Sequence, residues 1–122
     1  MRHAVFADIH GNLEALEAAL EYTRKHRVSG YFCLGDSIGY GANPNECLSW
    51  AFQNAKFHVL GNHEAAVNDQ NIREWFAGEA HKAIDWTANR LKSELMAGIK
   101  KLPYSLVIGK ATLTHGTLHS PE

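Results

Sequence analysis

A chain of 122 residues, 45% hydrophobic and 20% charged, is long enough to bury one core and too short for two. Its net charge of −1 gives no broad attraction to nucleic acid or to an anionic membrane, and no apolar run approaches the length of a bilayer span. Cys33 and Cys47 are too few and too isolated for a disulfide framework or a four-thiolate zinc site, and no leader peptide is read ahead of the first strand, so a reduced, cytoplasmic protein is expected.

The first predicted strand is the apolar run through Val5-Phe6-Ala7, which stops at Asp8-Ile9-His10-Gly11-Asn12. Residues i and i+2 of a strand share a face, so Asp8 and His10 are expected side by side at the strand's carboxyl end. Gly11 lets the chain turn and Asn12 is a helix cap. Helical spacing of Leu13, Leu16, Ala19, Leu20 and Thr23 then predicts a helix over 13–26, with acids toward its start and Arg24, Lys25, His26 and Arg27 at its end, as the helix dipole favours. Tyr31-Phe32-Cys33-Leu34 reads as a second strand ending in Gly35-Asp36, and the connection is long enough for a right-handed parallel crossover.

Asn43-Pro44-Asn45-Glu46 has the form of a helix start, with a cap, a proline in the first turn and an acid reaching back. That helix is expected to run to about Asn54, followed by a third strand, Phe57-His58-Val59-Leu60, that stops at Gly61-Asn62-His63-Glu64. Beyond it, 78–90 reads as a helix, Ser93 as the cap of a short one, and Trp75, Phe76 and Trp86 as core or as a cover over the sheet. Residues 105–108 and 111–114 read as a β-hairpin turning at Gly109-Lys110, and its second arm delivers His115-Gly116.

Eight histidines are the compositional oddity. His10, His63, His115 and His119 fall in loop-like contexts, whereas His3, His26, His58 and His81 are read as partly exposed structural residues. Successive strands thus end in Asp-x-His, Gly-Asp and Gly-Asn-His, at the sheet edge where open α/β folds bind ligands. Asp8, His10, Asp36, Asn62, His63 and His115 together offer carboxylate, imidazole and amide donors. Such mixtures suit borderline divalent metals, with Mn²⁺ the first choice and Fe²⁺, Zn²⁺, Co²⁺ or Ni²⁺ as alternatives. Asp36, on the middle of the three strands, is the candidate bridge between two ions.

The runs Asp8-Ile9-His10-Gly11-Asn12, Gly35-Asp36-Ser37-Ile38-Gly39-Tyr40-Gly41 and Gly61-Asn62-His63-Glu64, with Thr114-His115-Gly116, resemble the calcineurin-like metallophosphoesterases, above all their small bacterial and archaeal phosphodiesterase-like branch. The resemblance implies an α/β domain over 1–122, with a mostly parallel sheet flanked by helices and a C-terminal hairpin, like the N-terminal half of that family's sandwich. It implies Asp8, His10 and Asp36 around one metal, Asp36, Asn62 and His115 around a second, and His63 as the group serving the leaving oxygen, oriented by Glu64. The reaction implied is hydrolysis of a phosphodiester or small phosphate ester by a hydroxide held between the ions.

Two features depart from the family pattern. Its Gly-His-Thr-His motif is absent, and Ile38-Gly39-Tyr40-Gly41 stands where protein phosphatases carry an aspartate-arginine pair, which argues against phosphoprotein substrates. A shortened domain carries a second reading, a weakly active or inactive metal- or nucleotide-binding module. It also carries the expectation that another copy covers the exposed sheet edge.

Overall fold

Three short strands, His3–Phe6 (β1), Gly30–Cys33 (β2) and Ala55–His58 (β3), form a parallel sheet in the order β1-β2-β3 in this computed structural model, which describes residues 1–120. Leu13–Lys25 (α1) and Pro44–Asn54 (α2) make the two crossovers. The start of α1 follows the sequence closely: the Ala15 N–H donates to the Asn12 side chain at 3.0 Å, which satisfies one of the donors a helix start leaves unpaired. At α2 the proline is where it was expected, but the Asn43 side chain makes no capping bond. The adjacent Asn45 works at longer range, donating to the Arg90 carbonyl and accepting from the Lys92 N–H, both at 2.9 Å.

After β3 come Asn62–Asn68 (α3), Gln70–Arg73 (α4), Gly78–Arg90 (α5) and Ser93–Ile99 (α6), then the antiparallel hairpin of Ser105–Ile108 (β4) and Ala111–Thr114 (β5). Ser93 is the first residue of α6 rather than its cap. Arg73 ties α3 to its neighbours: its guanidinium donates to the Ala66 and Val67 carbonyls and, at 3.1 Å, to Asp85 of α5. Those carbonyls belong to the last turn of α3, where a cation is favourable.

Two apolar clusters flank the sheet. Ile38, Leu48, Val67, Ile84 and Ile99 belong to the larger one, shared by α2, α3, α5 and α6. Ile9, Leu16 and Cys47, with Phe6 and Trp50 against them, form the smaller. The larger core runs directly beneath α3, so the segment that begins Asn62-His63-Glu64 rests on close-packed side chains. No described helix is long and apolar enough to cross a membrane.

The sequence reading of His58 is overturned. It is 9% exposed, and neither ring nitrogen has a hydrogen-bond partner among the described residues. As the last residue of β3 it turns inward against Phe52 of α2, the ring centroids 5.3 Å apart. Burial pushes its pKa down to about 4. The unfolded chain, titrating near 6.5, therefore takes up a proton that the folded chain refuses. Stability is expected to fall as pH drops from about 6.5 to about 4, by roughly 3 kcal/mol in total. Denaturant titrations across this range should show a shallower pH dependence for His58→Leu than for the parent chain; parallel curves would contradict the assignment.

Candidate metal centre

Asp8 and His10 do come together, but not on a strand face. β1 ends at Phe6, and both residues adopt left-handed backbone, with φ of 55° and 50°; Asp36, after β2, does the same at 57°. Few non-glycine residues accept this conformation, and it persists only where the surroundings impose it. Here the parallel pairing continues beyond the strands. The Asp8 N–H donates to the Gly35 carbonyl at 3.1 Å, His10 to Asp36 at 2.9 Å and Gly11 to Ser37 at 2.9 Å. The two loops run side by side and present Asp8, His10 and Asp36 to a common volume.

Asp36 is the hub. Its Oδ2 lies 3.4 Å from His115 Nε2, 3.7 Å from His10 Nε2 and 3.9 Å from His63 Nε2, and His10 Nε2 is 3.5 Å from Asp8 Oδ1. Its Oδ1 accepts the His63 backbone N–H at 3.0 Å. Among the described residues, two three-residue groups have donor atoms within 4.8 Å of one another: His10, Asp36 and His63, and Asp8, Asp36 and His115. Asp36 belongs to both, as a bridge requires. The grouping pairs Asp8 with His115 and His10 with His63, where the family resemblance pairs Asp8 with His10.

Backbone carbonyls fix two of the imidazoles. His10 Nδ1 donates to the Ile38 carbonyl at 2.9 Å, and His115 Nδ1 to the Leu34 carbonyl at 2.6 Å. Each bond assigns the proton to Nδ1 in the neutral ring and turns the Nε2 lone pair toward Asp36, as metal-binding histidines are oriented. Asn62 closes the cluster. Its side-chain amide nitrogen donates to Asp36 Oδ2 at 2.9 Å and to His115 Nε2 at 3.1 Å, and turning the amide over would present its oxygen to the same volume instead. The donor set fits a divalent ion.

The charges respond accordingly. Burial opposes ionisation of Asp36, which is 2% exposed, but the bond with His115 and the nearby His63 and His115 charges hold its pKa below the usual carboxylate range. The Asp36 carboxylate in turn raises His115 to about 9, against the effect of burial. His63 goes the other way: burial lowers its pKa despite Asp36.

Glu64 is not the orienting partner expected for His63. Its carboxylate is fully buried and accepts the Asp36 and Ser37 backbone N–H groups, both at 2.7 Å. The physical reason is helical: Glu64 lies one position beyond His63 on α3, so the two side chains diverge. His63 Nδ1 has no hydrogen-bond partner among the described residues. Rings hold it instead, with His10, Tyr40 and Phe76 centroids at 4.7, 4.9 and 5.1 Å. His119 is exposed and stays outside the cluster.

Sequence reasoning missed Tyr40 and Phe76 as neighbours of the centre, and misread Trp75, which is 69% exposed rather than core. Glycines flanking Tyr40 were the available signal. Gly39 has φ of +89° and lies so close to His63 that a Cβ would collide with its ring. Gly39→Ala is expected to cost about 1–3 kcal/mol of stability from backbone strain alone. It should also shift the His63 imidazole resonances in NMR spectra; an unchanged ring environment would show that the contact is not limiting.

A parallel sheet whose strand ends meet carboxylate, imidazole and amide donors defines an α/β protein with a candidate divalent-cation centre. The chain belongs to the calcineurin-like phosphoesterase family, whose family model matches residues 1–120. It is 37% identical over 123 residues to the uncharacterized protein MJ0912 of Methanocaldococcus jannaschii, a match covering 98% of this chain and 51% of that one. It is similar to the crystal structure of a metallophosphoesterase from Sphaerobacter thermophilus, with a TM-score of 0.83 and 34% identity over 99% of this chain and 49% of that one. The hypothetical protein PH1004 of Pyrococcus horikoshii shares the fold, with a TM-score of 0.69 at 22% identity over 86% of this chain and 49% of its own. The chain therefore spans about half the length of these relatives.

Proposed function

We propose that this chain carries the two-cation centre of a hydrolase acting on a phosphodiester or small phosphate ester. The carrying observation is that the Asp36 carboxylate is common to two groups of converging donors, His10, Asp36 and His63, and Asp8, Asp36 and His115. Asp8, His10 and Asp36 would hold one ion, and Asp36, Asn62 and His115 the other. A bound pair of divalent ions supplies Lewis acidity and a water made acidic enough to act near neutral pH.

The chain's own residues supply the rest. The Ile38 and Leu34 carbonyls keep the His10 and His115 rings turned so that their Nε2 atoms face the centre. His63, neutral at ordinary pH because it is buried, stabilises the leaving oxygen by donating a hydrogen bond from its ring N–H, which it keeps. The aromatic rings packed around it keep water from that proton. Native metal and location stay with the sequence expectations, Mn²⁺ and the cytoplasm.

Hydrolysis of bis(p-nitrophenyl) phosphate in the presence of Mn²⁺ tests this. Turnover should vanish with chelator and fall by about a hundredfold or more in His63→Ala, the usual scale for losing a hydrogen-bond donor to developing negative charge. Mn²⁺ binding without turnover of any ester would favour the binding-module reading instead.

A further inference from the structure

Asn62 has a second face. Besides meeting Asp36 and His115, it lines a cleft of about 390 Å³ whose walls include Ile72, Trp75, Phe76 and Tyr104. That volume is in the range of small-molecule sites. Trp75 and Tyr104 are 69% and 55% exposed, although burial of large aromatics is among the strongest stabilising terms available to a chain. Both line the same cleft. Among the described residues no Asp, Glu, Lys or Arg side chain lines it, so it offers the phosphoryl group no charged partner there. The cleft is also continuous with the chemistry. One wall, Phe76, meets the His63 ring edge-on at 5.1 Å, and one rim is Asn62.

We infer that this cleft is a subsite for a flat, uncharged aromatic ring system, a nucleobase or an aryl group, carried by the phosphate ester. The inference rests on the phosphoesterase reading for the position of the phosphoryl group, and on the cleft alone for the chemistry of the ring. Three aromatic side chains around an uncharged slot favour stacking, which accepts any planar ring and rejects groups without a π-face. The aliphatic Ile72 and the small Ala65 leave room between them.

The test uses the intact chain with Mn²⁺ and three probes: adenosine 5′-monophosphate, phenyl phosphate and ribose 5-phosphate. Tryptophan fluorescence reports binding, because Trp75 is in the cleft while Trp50 packs in the core and Trp86 lies under Arg90. Adenosine 5′-monophosphate and phenyl phosphate should quench saturably and bind about tenfold or more tightly than ribose 5-phosphate, the scale of one stacked ring. The tighter of the two identifies the ring as base or aryl.

Trp75→Phe should remove the quench. Measured by titration calorimetry, which needs no tryptophan in the cleft, Trp75→Ala and Tyr104→Ala should each erase most of the preference for a ring while leaving Mn²⁺ affinity and ribose 5-phosphate affinity unchanged. Equal binding of ribose 5-phosphate, or a ring preference that survives both alanine substitutions, overturns the subsite. Ring-selective quenching without any ester hydrolysis supports the subsite and refutes the catalytic reading. Hydrolysis indifferent to the presence of a ring does the reverse.

Discussion

Asp36→Asn should abolish tight binding of both cations while leaving the fold intact. Residues that merely orient a metal ligand are worth about 10–100-fold in affinity, so loss of the one carboxylate common to both donor groups should cost more than about a hundredfold. The asparagine keeps an oxygen that can accept the His63 backbone N–H, now bonded to Oδ1 at 3.0 Å, so the start of α3 retains its anchor. Calorimetric titration with Mn²⁺ measures the first effect and circular dichroism checks the second. Wild-type affinity in the variant would remove Asp36 from the shared position.

Glu64→Ala should do the opposite, damaging stability more than chemistry. The two backbone donors it accepts, Asp36 and Ser37, lie where water does not reach. Orphaning a buried donor costs about 1–3 kcal/mol, so the pair amounts to roughly 3 kcal/mol or more before the cavity is counted. Against a total of about 5–15 kcal/mol for a domain, that is a large fraction. Burial and the Asp36 charge push the Glu64 pKa up to about 8 in spite of the amide donors. Glutamine, which preserves one acceptor, should lose about half as much. Denaturant unfolding of Glu64→Ala and Glu64→Gln measures the difference; equal, small losses would mean that other groups hold the loop after β2.

The sequence reading reached the fold class because its signals are local. Leu13, Leu16 and Leu20 repeat at helical spacing, Pro44 marks a helix start, and Gly109-Lys110 marks a hairpin turn. It expected Asp8, Asp36 and His63 at one edge because strand ends in a parallel sheet face one way. His115 follows the separate antiparallel hairpin, so the sheet rule alone does not bring it to Asp36, and the docking of that hairpin is a tertiary event. The reading failed on how these side chains are held. The partners that orient His10 and His115 are the carbonyls of Ile38 and Leu34, and a main-chain oxygen has no letter in a sequence. Left-handed backbone at Asp8 and His10 is equally silent, since neither residue advertises it as glycine does. The role of Glu64 came from the family resemblance, and no letter of the sequence says that its carboxylate is taken up by the Asp36 and Ser37 amides instead. Burial of His58 depended on the packing of α2 against β3, which no local pattern encodes.

The bond from His115 to the Leu34 carbonyl spans 81 positions of chain. Closing so wide a loop is entropically unfavourable until the intervening helices have compacted, and contacts of long sequence separation form slowly. On the ribosome, then, the parallel sheet with Asp8, His10 and Asp36 emerges well before His115 does. A nascent chain would pass through a stage in which those side chains are in place and the hairpin is not yet docked.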